Sequence, residues 1–174
     1  DDVDGDGCVE VAVVRNMELA LLDGSTGRCK KAVSLPSDNL VSLFSARVGL
    51  GKAGRRLIIK ANDAGYPPWQ YSNPTMVFNP DLSVFKDGFA VRGAGHNVIA
   101  ADINGDGYDE CLVGYSLLDR DFNEVWRLDF GPDFDYAVDH ADDIVLADIN
   151  GDGKPEVLYA GSEDFVVTDL KGNI

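Results

Sequence analysis

Apolar residues along the chain fall in short runs separated by polar turn residues. EVAVV at 10–14, ECLVGY at 110–115 and EVLYAG at 156–161 are too short for helices and read as strands. Each is followed by a second run with a polar end, LALLD, SLLD or FVVTD, and then by a turn signal, GSTG, RDFN or KGN. Further strands precede the later two runs (NVIAAD, DIVLAD), and a fourth, EVWRLDF, follows RDFN. No stretch sustains the 3.6-residue period of a helix, so the pattern predicts an all-β chain.

The runs belong to a repeat. Three acidic phrases precede the EVAVV-type strands: DVDGDGCVE from Asp2, DINGDGYDE from Asp102 and DINGDGKPE from Asp148. The first interval is twice the second in round terms, which predicts a hidden unit between the first two phrases. NLVSLFSARV (39–48), RRLIIKA (55–61), TMVFNPD (75–81) and SVFKDG (83–88) supply it, with GLGKAGRR in place of the acidic phrase. Four short antiparallel strands recurring every 45–50 residues is the pattern of a β-propeller blade. The expected blades span 1–37, 38–92, 93–139 and 140–174, about three and a half in all. This is a segment of a seven- or eight-bladed propeller, with the remaining blades supplied by the rest of the chain or by other chains, since an isolated sector leaves two open sheet edges.

The acidic phrase has the spacing D-x-[DN]-x-D-G-x-x-E. Side-chain oxygens fall at its first, third, fifth and ninth positions and a backbone carbonyl at the seventh, a hard-oxygen set suited to Ca²⁺. The glutamate comes too early for an EF-hand, and strands rather than helices flank it. The expected ligands are Asp2, Asp4, Asp6 and Glu10 with the carbonyl of Cys8; Asp102, Asn104, Asp106 and Glu110 with that of Tyr108; and Asp148, Asn150, Asp152 and Glu156 with that of Lys154. One such phrase could be an ordinary Asp/Asn/Gly turn, but three copies in register favour a mainly structural ion in each.

Composition narrows the partners. A formal charge of −15 argues against nucleic acid, which needs a basic footprint. No apolar run is long enough to span a membrane, and the chain carries no charged-then-apolar leader. Cys8, Cys29 and Cys111 are too scattered for a zinc cluster; Cys111 reads as a buried thiol, while a Cys8–Cys29 pair stays open. Lys52, Arg55 and Arg56 read as a small solvated basic loop. No phosphate loop, nucleophile elbow or dinucleotide fingerprint is present.

The repeated D-x-[DN]-G-D-G-x-x-E blade resembles the FG-GAP/VCBS-type repeats of integrin-like and bacterial extracellular propellers. The stretch GAGHNVIAADINGDGYDECLVGYSLLD, followed by DHADDIVLADINGDGKPEV, is similar to the rhamnogalacturonan lyase group. There, a Gly-His-Asn segment precedes one calcium blade and a His-x-Asp segment the next. Gly95, His96 and Asn97 match the first, His140 and Asp142 the second. The resemblance covers residues 90–174 well and the rest as generic blades. It implies a secreted, calcium-bearing propeller that cleaves acidic pectin backbones by β-elimination.

In such a fold the loops entering the first strand and those joining the second to the third share one rim, opposite the acidic loops. That rim carries 62–74, 90–97 and 131–143, and with them both histidines. Uronate elimination needs a base for the C5 proton and a cation near the carboxylate. The candidates are His96, His140 or Tyr136 as base and Arg92 or Ca²⁺ as cation, with Tyr66, Trp69, Tyr71 and Asn97 contacting the sugar. A His before an inner strand can equally serve only to hydrogen-bond a neighbouring blade. The acidic surface disfavours an acidic glycan outside a local basic cleft. Two functions follow: a polysaccharide lyase of pectin type, or a non-catalytic calcium propeller for carbohydrate or protein adhesion.

Overall fold

The computed structural model describes residues 1–36, 40–48, 54–61, 75–89, 91, 93–134, 140–161 and 165–174. Among them there is no helix; fourteen strands form four small antiparallel sheets. The chain groups into two compact units, Asp1–Asn62 with Asn73–Ala90, and Asp63–Ser72 with Val91–Ile174.

The first unit holds two sheets. One has the order β1-β2-β3, with β1 Glu10–Arg15, β2 Glu18–Asp23 and β3 Cys29–Ser34. The other has the order β4-β5-β6-β7, with β4 Leu40–Ala46, β5 Arg56–Ala61, β6 Thr75–Phe78 and β7 Val84–Phe89. Leu19, Leu21 and Leu35 from the former pack with Leu57, Ile59, Met76 and Phe78 from the latter in one apolar core. Burial of such side chains contributes about 1.5–3 kcal/mol each.

The second unit repeats the plan. Its first sheet comprises β8 Val98–Ala101, β9 Glu110–Val113, β10 Ser116–Leu118 and β11 Glu124–Arg127, in the order β11-β10-β9-β8. Its second comprises β12 Ala141–Ala147, β13 Glu156–Gly161 and β14 Phe165–Thr168, in chain order. Leu112, Tyr115, Leu117 and Leu128 meet Ala141, Ile144, Val157 and Tyr159 in its core. Strands β6, β9 and β10 are buried along their whole length, on both faces, whereas β3 and β11 are mostly exposed.

Register ties the sheets to a common template. Ala101 pairs with Glu110, Ala147 with Glu156 and Ala46 with Arg56, and Glu10 N–H donates to the Asp1 carbonyl at 2.8 Å. Arg56 therefore stands where the other sheets carry the glutamate of the acidic phrase. It is 7% exposed, with its guanidinium carbon 3.4 Å from the centroid of the Phe85 ring. The expectation that Arg56 belongs to a solvated basic loop is thus corrected: the cation is covered by an aromatic face. Arg55 is half-buried and pairs with Asp1 at 3.2 Å; Lys52 lies outside the described residues. Cys8 and Cys29 are exposed free thiols, and Cys111 is a buried one.

Candidate functional site

The starts of β8 and β12 lie side by side. Ala94 and Ala141 form a parallel bridge, and Ala141 N–H donates to the Gly93 carbonyl at 3.1 Å. The approach requires glycine at position 95, where a Cβ would sit 2.0 Å from the Ala141 carbonyl oxygen. Asn97 fastens the same junction. Its Nδ2 donates to Asp143 Oδ1 at 2.6 Å while its Oδ1 accepts from Val98 N–H at 2.8 Å.

This pairing brings His96 and His140 together. Their rings meet edge to face, centroids 5.7 Å apart. Both turn Nε2 toward Asp142 Oδ1, His140 at 2.7 Å and His96 at 3.6 Å. His96 and Asp142 are open to solvent; His140 is more covered. One ligand atom from each of the three residues falls within 4.8 Å of the others, a nitrogen–nitrogen–oxygen set that one divalent cation could bridge. The short His140 bond fixes the proton on Nε2 when the ring is neutral and leaves Nδ1 as acceptor.

The second and third acidic loops lie at the other ends of the same strands, and the first leads into β1. In all three, the leading aspartate accepts the N–H groups of the fourth and sixth residues. Gly5 and Gly7 donate to Asp2 at 2.8 and 3.1 Å, Gly105 and Gly107 to Asp102 at 2.7 and 2.9 Å, and Gly151 and Gly153 to Asp148 at 2.7 and 2.9 Å. These glycines have φ between 78° and 91°, which a side chain would strain. The fifth residue, Asp6, Asp106 or Asp152, accepts from the seventh at 2.7–2.9 Å. The glutamate closes the loop: Glu10, Glu110 and Glu156 accept from Val3, Ile103 and Ile149 N–H at 2.9–3.0 Å.

In the later two loops the Asn amide bridges the remaining oxygens. Asn104 Nδ2 reaches Glu110 Oε1 at 2.9 Å and Asp106 Oδ2 at 3.4 Å; Asn150 reaches Glu156 at 2.8 Å and Asp152 at 3.4 Å. The donor set of each loop is carboxylate and amide oxygen, which fits a hard cation. Burial pushes the Glu110 carboxyl above the ordinary range, and Asp106 and Asp102 add to it. A bound cation would relieve that penalty.

Comparison with solved structures places the fold. The chain is similar to the V. cholerae biofilm matrix protein Bap1, at TM-score 0.67 and 19% identity over 99% of this chain and 26% of that one. It is similar to the rhamnogalacturonan lyase YesW, at TM-score 0.65 and 18% identity over 90% of this chain and 30% of that one. A rhamnogalacturonan lyase of Bacillus licheniformis gives TM-score 0.64 and 16% identity, with 90% and 30% covered. At such identities the likeness is one of fold, and the chain spans less than a third of each neighbour. No family model and no curated protein matches it.

The structure therefore brings His96, His140 and Asn97 to one end of β8 and β12, sets Asp142 of the His-x-Asp segment beside both histidines, and adds Asp143 as the partner of Asn97. Asn97 acts there as a tie between strands, its side chain engaged on both atoms. Arg92, Tyr136, Tyr66, Trp69 and Tyr71 lie outside the described residues. Sequence reasoning missed a cavity of about 670 Å³ at the loop end of the second unit, lined by Ile103, Asn104, Val125, Trp126 and Lys154 among others. Only Val125 and Trp126, two apolar residues on the mostly exposed strand β11, signal it.

Proposed function

We propose that the chain is part of a secreted, calcium-stabilised β-propeller of polysaccharide-lyase type, which binds acidic polysaccharide of rhamnogalacturonan or pectin kind and cleaves it by β-elimination. The convergence of His96, His140 and Asp142 carries this reading. It lies at the strand ends away from the acidic loops, is open to solvent, and pairs two proton-transfer groups with a carboxylate that orients them. The propeller reading draws support from central strands buried on both faces and from the repeated register, since blades stack face to face.

In the proposed reaction His140 Nδ1 takes the C5 proton of a uronate, the electron pair forms the C4–C5 double bond, and the C4–O bond breaks. His96, in its protonated form, gives a proton to the departing oxygen. Asp142 holds His140 in the accepting tautomer and stabilises the imidazolium that forms. The uronate carboxylate needs a positive partner for its developing charge. Arg92, or a Ca²⁺ ion held apart from the two imidazoles, would supply it.

The test is unsaturated-uronate absorbance from the intact protein on rhamnogalacturonan. We expect His96→Ala/His140→Ala to lose at least about a hundredfold, the usual scale for a proton-transfer group. No product from the wild type, or an unchanged rate in the double variant, rejects the lyase. The likeness to a biofilm matrix protein supports the second reading, a non-catalytic propeller for carbohydrate or protein adhesion. Glycan binding without cleavage, lost in the same double variant, would establish it.

A further inference from the structure

The candidate-ligand set of the first acidic loop differs from the other two by one residue, Asp4, and a residue from β3 enters it. Its third position is Asp4, where the others have Asn104 and Asn150. No amide is therefore available to bridge the inner oxygens. Lys30 does so instead: its ammonium lies 2.8 Å from Asp4 Oδ2, 3.2 Å from Asp6 Oδ2 and 2.8 Å from Glu10 Oε1. The latter two oxygens are the counterparts of those bridged by the Asn amides. Glu10 is almost wholly covered, so its ion pair with Lys30 is shielded from water.

Backbone geometry aims Lys30 there. In the β2–β3 ladder Leu21 pairs with Lys31 and Leu22 with Cys29, so Lys30 is the extra residue of a β-bulge, a device that redirects a side chain. The bulge recurs at the same register. Between β10 and β11 the skipped residue is Val125, and between β6 and β7 it is Phe85. Phe85 faces Arg56, which holds the glutamate's place in its sheet. Bulge residue and candidate-ligand set thus match in chemistry: lysine with four carboxylates, an aromatic ring with an arginine, and an uncharged valine with the three ligand carboxylates Asp102, Asp106 and Glu110.

We infer that Lys30 is a built-in cation of the first acidic loop, keeping it ordered without metal and weakening its hold on Ca²⁺ relative to the second and third loops. The inference rests on the calcium reading of those loops. Asp4 and Lys30 cancel in charge, so the three candidate-ligand sets, with Lys30 counted in the first, carry the same formal charge of −3. In the first, Ca²⁺ must displace an ammonium from three oxygens; in the others it need only turn an amide.

Peptide-resolved hydrogen exchange of the intact protein, stripped with EDTA and titrated with CaCl₂, tests this. Residues 102–110 and 148–156 should gain protection at concentrations at least about tenfold below residues 2–10, the scale expected for one nearby positive charge. Lys30→Met should lower the midpoint of the first loop by a similar factor. It should also speed exchange there, and only there, in EDTA. Asp4→Asn/Lys30→Met, which keeps the net charge, should bring the first loop level with the others and covers the case in which the single variant fails to fold. A first-loop midpoint equal to the others and unmoved by these changes overturns the role of Lys30 while calcium stands. Calcium-independent exchange in every loop rejects the calcium reading, and the EDTA arm then decides Lys30 alone: equal first-loop exchange in wild type and Lys30→Met overturns it.

Discussion

Asp23 collects four hydrogen bonds on one carboxylate oxygen, from the hydroxyl and N–H of Ser25 and of Thr26, at 2.7–3.0 Å. The Ser25 and Thr26 hydroxyls lead in holding its carboxyl down at about 2, against an ordinary 3.8. Asp81 and Asp169 are lowered for the same reason, by the Ser83 and Asn173 side chains. A depressed carboxyl stabilises the fold above its unfolded value and loses that contribution as pH falls through its folded one. Stability should therefore decline from just under pH 4 toward pH 2. Asp23→Asn should make the decline shallower in urea unfolding at successive pH values with EDTA present. Parallel curves for the two proteins would show that the turn carries no such linkage.

At the scale of elements, the junction of β8 with β12 decides whether the histidines meet at all. Gly95 touches the Ala141 carbonyl so closely that any Cβ must push the strands apart. Gly95→Ala should cost about 1–3 kcal/mol, the range for overpacking, and should separate His96 from His140. A thermal melt gives the first, and loss of the lyase or glycan-binding signal gives the second. An unchanged melting point would mean that the junction yields more easily than its contacts indicate. Much of this was legible in the sequence, because aligning Asp102 with Asp148 puts His96 and His140 at matching strand entrances. The short strands were legible from their apolar runs. β3 was not, since CKKAVS is exposed along almost its whole length and carries no alternation. The places of Lys30 and Arg56 were equally hidden. Each is set by a bulge opposite a residue 20 to 29 positions away, and local patterning does not encode such pairings.

For the whole molecule the dominant quantity is charge. The three acidic phrases hold eleven of the 30 Asp and Glu side chains in a chain of net charge −15, and self-repulsion opposes the compact state. Lys30 offsets one of those charges from within, whereas Asn104 and Asn150 bridge the corresponding oxygens of the second and third loops with uncharged amides. If two ions bind tightly, each about a hundredfold above its dissociation constant, they contribute about 2.7 kcal/mol apiece. For a protein of this size that corresponds to a fall in melting temperature on the order of 10 °C when EDTA removes them. Added NaCl should recover part of the loss by screening the bare carboxylates, and should do little when calcium is saturating. Lys30→Met should widen the gap between the calcium and EDTA melts, because the first loop then becomes a third site that depends on metal. A melting temperature indifferent to EDTA at low salt would remove calcium from the stability of the fold, and would leave Lys30 and the Asn bridges as the groups that hold these loops.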